Sequence, residues 1–124
     1  MDPLPEPLDR WHRAVNARDL DAVRAVTASD VEVGGPRGTA RGLDACVEWV
    51  GSSGIRLEPT RAHSVDGRHT VVAQDATWPG RPDHVPGTAP VATATLFEVR
   101  DGRVSRILRF DEGFEAALAA AREL

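Results

Sequence analysis

Hydrophobic and polar residues alternate most regularly over residues 91–109, VATATLFEVRDGRVSRILR. A period of two is typical of a β-strand, whose side chains point in turn to opposite faces of the sheet. The Asp101-Gly102 step interrupts this pattern where the chain must reverse, and the dipeptide readily adopts the positive φ of a two-residue hairpin turn. The segment is therefore predicted to be a β-hairpin whose return strand covers residues 104–110.

The two faces of the first strand of this hairpin differ in the size of their side chains. The smaller apolar side chains, among them Ala94 and Leu96, are expected to point inward over the N-terminal helices. The larger face is then the outer one, suited to a twofold contact between two copies of the chain, and it comprises Val91, Thr93, Thr95 and Phe97.

A helical period appears in four other places. The first helix begins at Leu8, the second follows an Asp19 N-cap, and the third covers residues 43–50. A fourth helix is expected over residues 112–124, with Asp111 as its cap. Residues 1–7 are rich in proline and are predicted to be an extended lead-in.

Further strands are predicted over residues 31–33, 55–65 and 70–78. Pro59 favours an edge position or a bulge for the second of these. Residues 34–42, GGPRGTARG, and the proline-rich residues 79–90 are expected to be irregular. Because hairpin-length links cannot make parallel crossovers, the order of elements predicts an α+β fold with a curved antiparallel sheet wrapped around helices, as a single domain.

Composition narrows the functional classes. The net charge is −4 and the arginines are scattered, so nucleic acid is not expected as a partner. The single cysteine, Cys46, precludes an internal disulfide and is interpreted as a buried core thiol. The four histidines lack the spacing of metal ligands, so neither a metal nor a cofactor is expected. No signal peptide or membrane-spanning run is apparent, and a cytoplasmic location is expected.

Three segments resemble the nuclear transport factor 2-like superfamily, and in particular its SnoaL-like polyketide cyclase branch. They are WHRAVNARDLDAV from Trp11, the turn region at residues 31–42, and FEVRDGRVSRILRFDEGFEAAL from Phe97. The resemblance implies a cone-shaped α+β barrel with a pocket at its open end. It also implies homodimers that form through the outer face of the sheet.

Two catalytic patterns of that superfamily are not intact in this chain. The ketosteroid isomerase pattern uses one Tyr and two Asp, and the aligned positions hold Trp11, Gly35 and Ala94. The limonene epoxide hydrolase pattern needs an Asp/Arg/Asp set. The last strand here offers Arg109, without an acid before Asp111. The resemblance therefore predicts the fold more firmly than it predicts a reaction.

The Gln74-Asp75 pair leaves two alternatives open, because neighbouring residues on a strand point to opposite faces. If Asp75 points into the cone, it is the best candidate for a general acid or base. If Gln74 points inward, it shares its row with Trp78, and the pocket then holds an amide and an indole that bind without exchanging protons.

The sequence thus favours a protein that binds a small apolar molecule and forms a homodimer, with no membrane partner. One alternative is an isomerase, cyclase or hydrolase that uses Asp75 with Arg109 or Gln74, and another is a dimerisation module with a filled core. The loop at residues 79–90 is placed near the mouth of the pocket. The residues predicted to contact the ligand are Trp11, Trp49, Gln74, Trp78, Ala94, Leu96, Leu108 and Arg109.

Overall fold

The computed structural model of the protein describes residues 3–35, 38–83 and 85–123. In chain order the elements are α1 (Glu6–Ala17), α2 (Leu20–Val26), β1 (Thr27–Gly35), β2 (Gly38–Arg41), α3 (Leu43–Ser53), β3 (Arg56–Ser64), β4 (His69–Thr77), β5 (Val91–Arg100), β6 (Arg103–Phe110) and α4 (Phe114–Arg122). Within these ranges, no helix combines the length and apolar character needed to cross a bilayer.

The six strands form one sheet in the order β2-β1-β6-β5-β4-β3. The predicted α+β class is confirmed. The expectation of a wholly antiparallel sheet is wrong, because β1 pairs in parallel with β6. Hairpin-length links constrain only consecutive strands, and α3 and four strands separate β1 from β6 along the chain. The strand order ends at β2 on one side and β3 on the other, so the described sheet is open and is not a closed barrel.

The glycine-rich segment expected to be irregular is instead an antiparallel ladder. Val33 pairs with Ala40, and Gly35 pairs with Gly38. The backbone of Gly38 has φ of 125°, a value that L side chains rarely adopt, so glycine is required where the second strand begins. The β1–β2 hairpin packs against α3.

Local signals in the sequence locate turns and caps well. The Asp19 carboxylate accepts a hydrogen bond from the Ala22 N–H at 3.1 Å, as expected for an N-cap. Asp101 and Gly102 both have positive φ in the β5–β6 turn. Strand β3 is an edge strand whose register shifts after Pro59, which confirms both predicted alternatives for that proline.

The cap of the last helix was predicted wrongly. Helix α4 begins after Gly113, and no side chain caps it. Asp111 lies two residues earlier, where its carboxylate pairs with the Arg109 guanidinium at 3.2 Å. The N-terminal lead-in is also shorter than predicted, because α1 already begins at Glu6, with Pro5 at its N-cap and Pro7 in its first turn.

Helices α1, α2 and α3 cover one face of the sheet, here called the inner face. Trp11 of α1 is fully buried and meets the Phe97 ring of β5 edge-on, with 5.1 Å between the ring centroids. Val72 and Ala76 of β4 and Ile107 of β6 belong to the same core. Aromatic edge contacts of this kind add to the stabilisation from buried area.

Helix α4 packs on the opposite, outer face of β4, β5 and β6. Its cluster of apolar side chains consists of Val71, Ala94, Leu96, Ala117, Leu118 and Ala121, with Val65, Leu108, Phe110 and Phe114 at the margin. The predicted orientation of β5 is therefore reversed, since Ala94 and Leu96 point outward under α4, while Thr95 and Phe97 point inward. Small residues on the outer face allow a helix to approach the strands closely, whereas Phe97 fills the larger inner core.

Candidate functional site

An open cavity of about 530 Å³ lies on the inner face, between α1, α3, the β1–β2 hairpin and the strands β3, β5 and β6. All three tryptophans of the chain line it. Trp11 comes from the middle of α1, Trp49 from α3, and Trp78 from the residue directly after β4. Three elements that are distant in sequence thus bring every indole of the protein to one space.

The remaining wall combines apolar side chains with glycine backbone. Leu57 and Ile107 are almost completely buried where they meet the cavity. On the β1–β2 hairpin the wall consists of Val33, Gly34, Gly35, Gly38, Thr39 and Ala40. Because Gly35 has no side chain, the hairpin leaves room there that a larger residue would occupy, whereas a Cβ on Gly34 would come within 2.8 Å of the Leu108 side chain.

Two arginines and two threonines give the cavity its polar character. Arg109 of β6 lies beside Thr95 in the β5–β6 pairing, and Arg81 comes from the loop after β4. Each guanidinium has one carboxylate neighbour outside the wall, at 3.2 Å for Arg109–Asp111 and 3.5 Å for Arg81–Asp83. Among the described residues that line the cavity, none is an acid or a histidine.

Two buried N–H groups of lining residues have no hydrogen-bond partner within the described chain: the Trp11 indole Nε1 and the Arg109 Nε. The Arg109 Nε does lie 3.2 Å from an Asp111 oxygen. That distance permits charge attraction, but the N–H does not point along it, so the hydrogen bond itself is not made. A buried donor left unpaired costs roughly 1–3 kcal/mol.

A chain of buried polar groups lies behind the cavity wall and joins α1 to β4 and β5. The His12 Nδ1 is 2.7 Å from the Leu8 carbonyl, and its Nε2 is 2.8 Å from the Gln74 amide nitrogen. The Thr95 hydroxyl donates to the Gln74 amide oxygen at 2.7 Å. With the proton of the ring on Nδ1, each of these three contacts joins a donor to an acceptor.

Burial lowers the pKa of His12 from 6.5 to about 4, against a smaller opposing effect of its hydrogen bond to Leu8. The imidazole is therefore neutral at pH 7 and serves as an acceptor for Gln74. Since the side chain is 2% exposed and each of its nitrogens is occupied, His12 positions Gln74 and Thr95.

The Gln74-Asp75 alternative is decided by this chain of contacts. Gln74 points to the inner face and is 1% exposed. Asp75 is partly exposed on the outer face, opposite Ala92 of β5 and Glu58 of β3. The structure therefore does not bring the Asp75 carboxylate to the cavity.

Of the residues predicted to contact a ligand, Trp11, Trp49, Trp78 and Arg109 line the cavity, and Gln74 lies directly behind Thr95. Ala94, Leu96 and Leu108 do not, because they point outward under α4. Of the three positions compared with the ketosteroid isomerase pattern, Trp11 and Gly35 line the cavity, whereas Ala94 points outward.

Sequence reasoning missed His12, Thr95 and Arg81. A usable signal existed for His12, which follows Leu8 by four residues and shares the buried face of α1 with Val15. Thr95 was assigned to the outer face. Arg81 lies in a loop, where no periodicity indicates which way a side chain points.

A close backbone contact fixes the start of that loop. The Gly80 N–H donates to the Gly54 carbonyl at 3.2 Å, at the end of α3. A Cβ on Gly54 would come within 2.8 Å of the Gly80 carbonyl carbon, and Gly54 has φ of 68°. Both positions thus require glycine, and the contact keeps Trp78 and Arg81 beside the third helix.

The remaining candidate chemistry is sparse. Burial raises the pKa of the Cys46 thiol to about 11, so the group stays protonated in the core at neutral pH. Within the described residues, no group of three or more His, Cys, Asp and Glu side chains is arranged to hold a metal ion.

Comparisons with known proteins agree with this architecture. The profile of the SnoaL-like domain family matches residues 8–107. No curated protein sequence gives a significant match.

Solved structures with the same fold include a candidate polyketide cyclase from Sinorhizobium meliloti, at 24% identity and a TM-score of 0.73 over 86% of this chain and 95% of that one. A candidate ketosteroid isomerase from Kribbella flavida has 22% identity and a TM-score of 0.71 over 85% and 74%. A cystatin-fold protein from Novosphingobium aromaticivorans has 18% identity and a TM-score of 0.72 over 85% and 95%. The predicted resemblance is confirmed.

Proposed function

The chain belongs to the SnoaL-like domain family, and we propose that it binds a small, mainly apolar molecule in the cavity walled by Trp11, Trp49 and Trp78. The observation that carries this proposal is the convergence of all three tryptophans on one space of about 530 Å³. Ligand cavities commonly measure roughly 300–1,000 Å³ and are lined mainly by apolar and aromatic side chains with a few polar groups.

The absence of an acid or a histidine from the described lining residues favours binding over proton transfer. We do not propose the catalytic alternative through Asp75, because its carboxylate lies on the opposite face of the sheet. A dimerisation module with a filled core agrees poorly with an open cavity of this size. The homodimer itself stays a prediction, although Thr93, Thr95 and Phe97 are buried and unable to form the predicted contact surface.

The experiment is a thermal-shift and tryptophan-fluorescence screen with neutral aromatic and alicyclic probes, naphthalene and camphor among them. A ligand at 100 times its Kd adds ~2.7 kcal/mol to the free energy of unfolding. Because all three indoles line the cavity, binding should also change the emission spectrum.

A matched pair of variants tests whether the cavity is the binding site. Ala40→Trp adds an indole to the cavity wall, and Ala92→Trp adds one to an exposed outward position of β5. The first change should abolish binding of the probes and the second should leave it intact. Equal affinity in both variants, or no binding of any probe to the wild type, would contradict the proposed function.

A further inference from the structure

We propose that the molecule bound in this cavity is an apolar carboxylate, whose anionic oxygens accept hydrogen bonds from the Trp11 indole and the Arg109 guanidinium. The inference rests on the proposed function and narrows it to a class of ligand. It starts from the unpaired donors described above, since both buried N–H groups without partners belong to residues that line the same cavity.

Both of these donor atoms are buried among residues of the described chain that offer them no hydrogen-bond acceptor. Trp11 is fully buried between His12 and Phe97, with both ring contacts at 5.1 Å. Arg109 extends from the inner face of β6 near the end of that strand, paired with Thr95. A ligand that brings acceptor atoms would relieve the cost of both unpaired donors, and a hydrocarbon would relieve neither.

The charges of the wall favour an anion over a neutral acceptor. The cavity is lined by two arginines, Arg81 and Arg109, with no acid among its described lining residues. The nearest carboxylates, Asp83 and Asp111, have side chains that are 77% and 55% exposed, so water screens their effect on the guanidinium groups. Hydrogen bonds from an arginine to a carboxylate are roughly twice as strong as those between neutral groups.

Gly35 leaves an open space in the cavity wall beside Arg109. A Cβ built on Gly35 would meet only the Arg109 Cβ among described atoms, at 4.0 Å. A side chain at this position would therefore enter the cavity without a clash. An acid there would pair with Arg109 internally, so the glycine keeps the guanidinium available for an acid on the ligand.

The test compares two probes that share one shape, cinnamate and its neutral amide cinnamamide, by isothermal titration calorimetry. Wild-type protein should bind cinnamate about tenfold or more tighter than cinnamamide, which corresponds to ~1.4 kcal/mol. Arg109→Gln should remove most of this preference by weakening cinnamate alone. Arg103→Gln removes an exposed arginine at the start of β6 and should leave both affinities unchanged.

A second pair of variants keeps the guanidinium and changes its surroundings. Gly35→Asp should weaken cinnamate about tenfold, since the new carboxylate competes for Arg109, while the isosteric Gly35→Asn should not. Trp11→Phe should weaken both probes, since it removes a donor that either can use.

The outcomes separate the two proposals. If neutral probes bind but the wild type prefers cinnamate by less than about twofold, the carboxylate inference is overturned and the binding function stands. If Arg103→Gln reduces the preference as much as Arg109→Gln does, the effect is general charge attraction and the inference is also overturned. If neither probe nor any neutral compound binds, both proposals fail together.

Discussion

Two histidines on opposite faces of the same sheet are held in contrasting ways. His12 contacts the inner face, where both of its nitrogens meet uncharged groups, the Leu8 carbonyl and the Gln74 amide. His69 lies on the outer face at the start of β4, between two carboxylates. Its Nδ1 is 3.0 Å from an Asp66 oxygen, and its Nε2 is 3.2 Å from Glu98.

The outer site belongs to a row of charges that alternate in sign across the strands. Beyond Glu98, the Arg106 guanidinium pairs with Glu32 at 3.1 Å. A hydrogen bond from the Ser105 hydroxyl at 2.7 Å is the main cause that lowers the pKa of Glu98, with Arg106 and His69 adding to it. Backbone N–H groups, that of Arg68 first, likewise lower the pKa of Asp66.

The difference teaches which physical effect dominates at each face. On the inner face, the cost of removing a charged group from water dominates. A histidine there stays neutral and is paired with uncharged groups. On the outer face, water still solvates the groups and ion pairs form, each with a modest contribution. Only the inner arrangement is suited to support a binding cavity, because it holds Thr95 in place without placing a charge behind it.

The largest effect is expected from Gln74→Leu, a change of similar size that deletes both amide contacts. His12 Nε2 and the Thr95 hydroxyl would be left buried without partners, at a cost of about 4 kcal/mol for the two groups. Urea unfolding at pH 7 measures this change. The matched control is the adjacent Asp75→Asn on the outer face, expected within ~0.5 kcal/mol of wild type. Similar losses in the two variants would contradict the assignment of faces.

The second largest effect is expected to be a loss of stability at acidic pH, which arises from the protonation of His12. Its pKa is about 4 in the folded protein and 6.5 when unfolded, so the unfolded chain binds more protons between these values. Above pH 6.5 the free energy of unfolding keeps the full contribution of His12. It falls by about 3 kcal/mol as the pH drops to 4, because each unit of difference between the folded and unfolded pKa is worth ~1.4 kcal/mol.

Unfolding of wild type and His12→Gln should be compared from pH 7 to pH 4. The free energy of unfolding of His12→Gln should change much less across this pH range than that of wild type, whatever the stability of the variant at pH 7. The carboxylates of the outer row cannot mimic the effect, because a lowered pKa makes their contributions disappear only below about pH 4.5. A wild-type curve that is flat between pH 6.5 and 4.5 would show that His12 is not held neutral.

The smallest effect is expected from Glu98→Gln on the outer face. It removes the charge that faces His69 and Arg106, but the amide can still accept from Ser105, so the loss should be about 1 kcal/mol at low salt. The difference from wild type should shrink in high salt, and it should also shrink as the pH falls below 4.5 and through the lowered pKa of Glu98. A loss as large as that of Gln74→Leu, insensitive to salt, would show that the outer row is a buried network.

Much of the fold follows from local patterns in the sequence. Asp101-Gly102, the Asp19 cap and Pro59 each predict a feature correctly, because each depends on neighbouring backbone alone. The three tryptophans were also recognised as residues of one interior. The parallel pairing of β1 with β6 was not predictable in this way, since it joins segments about 75 residues apart.

The orientation of β5 shows most clearly what could not be predicted from the sequence alone. Residues 93–97 are buried without interruption, because α1 covers one side of the strand and α4 the other. Alternation separates the two faces of such a strand but does not say which helix each face meets. The sequence by itself determined the helices, most of the strands, the Asp101-Gly102 turn and the family. Only the tertiary structure decided that Gln74, Thr95 and Arg109 share the inner face, because long-range packing, and not local propensity, chooses between two buried faces.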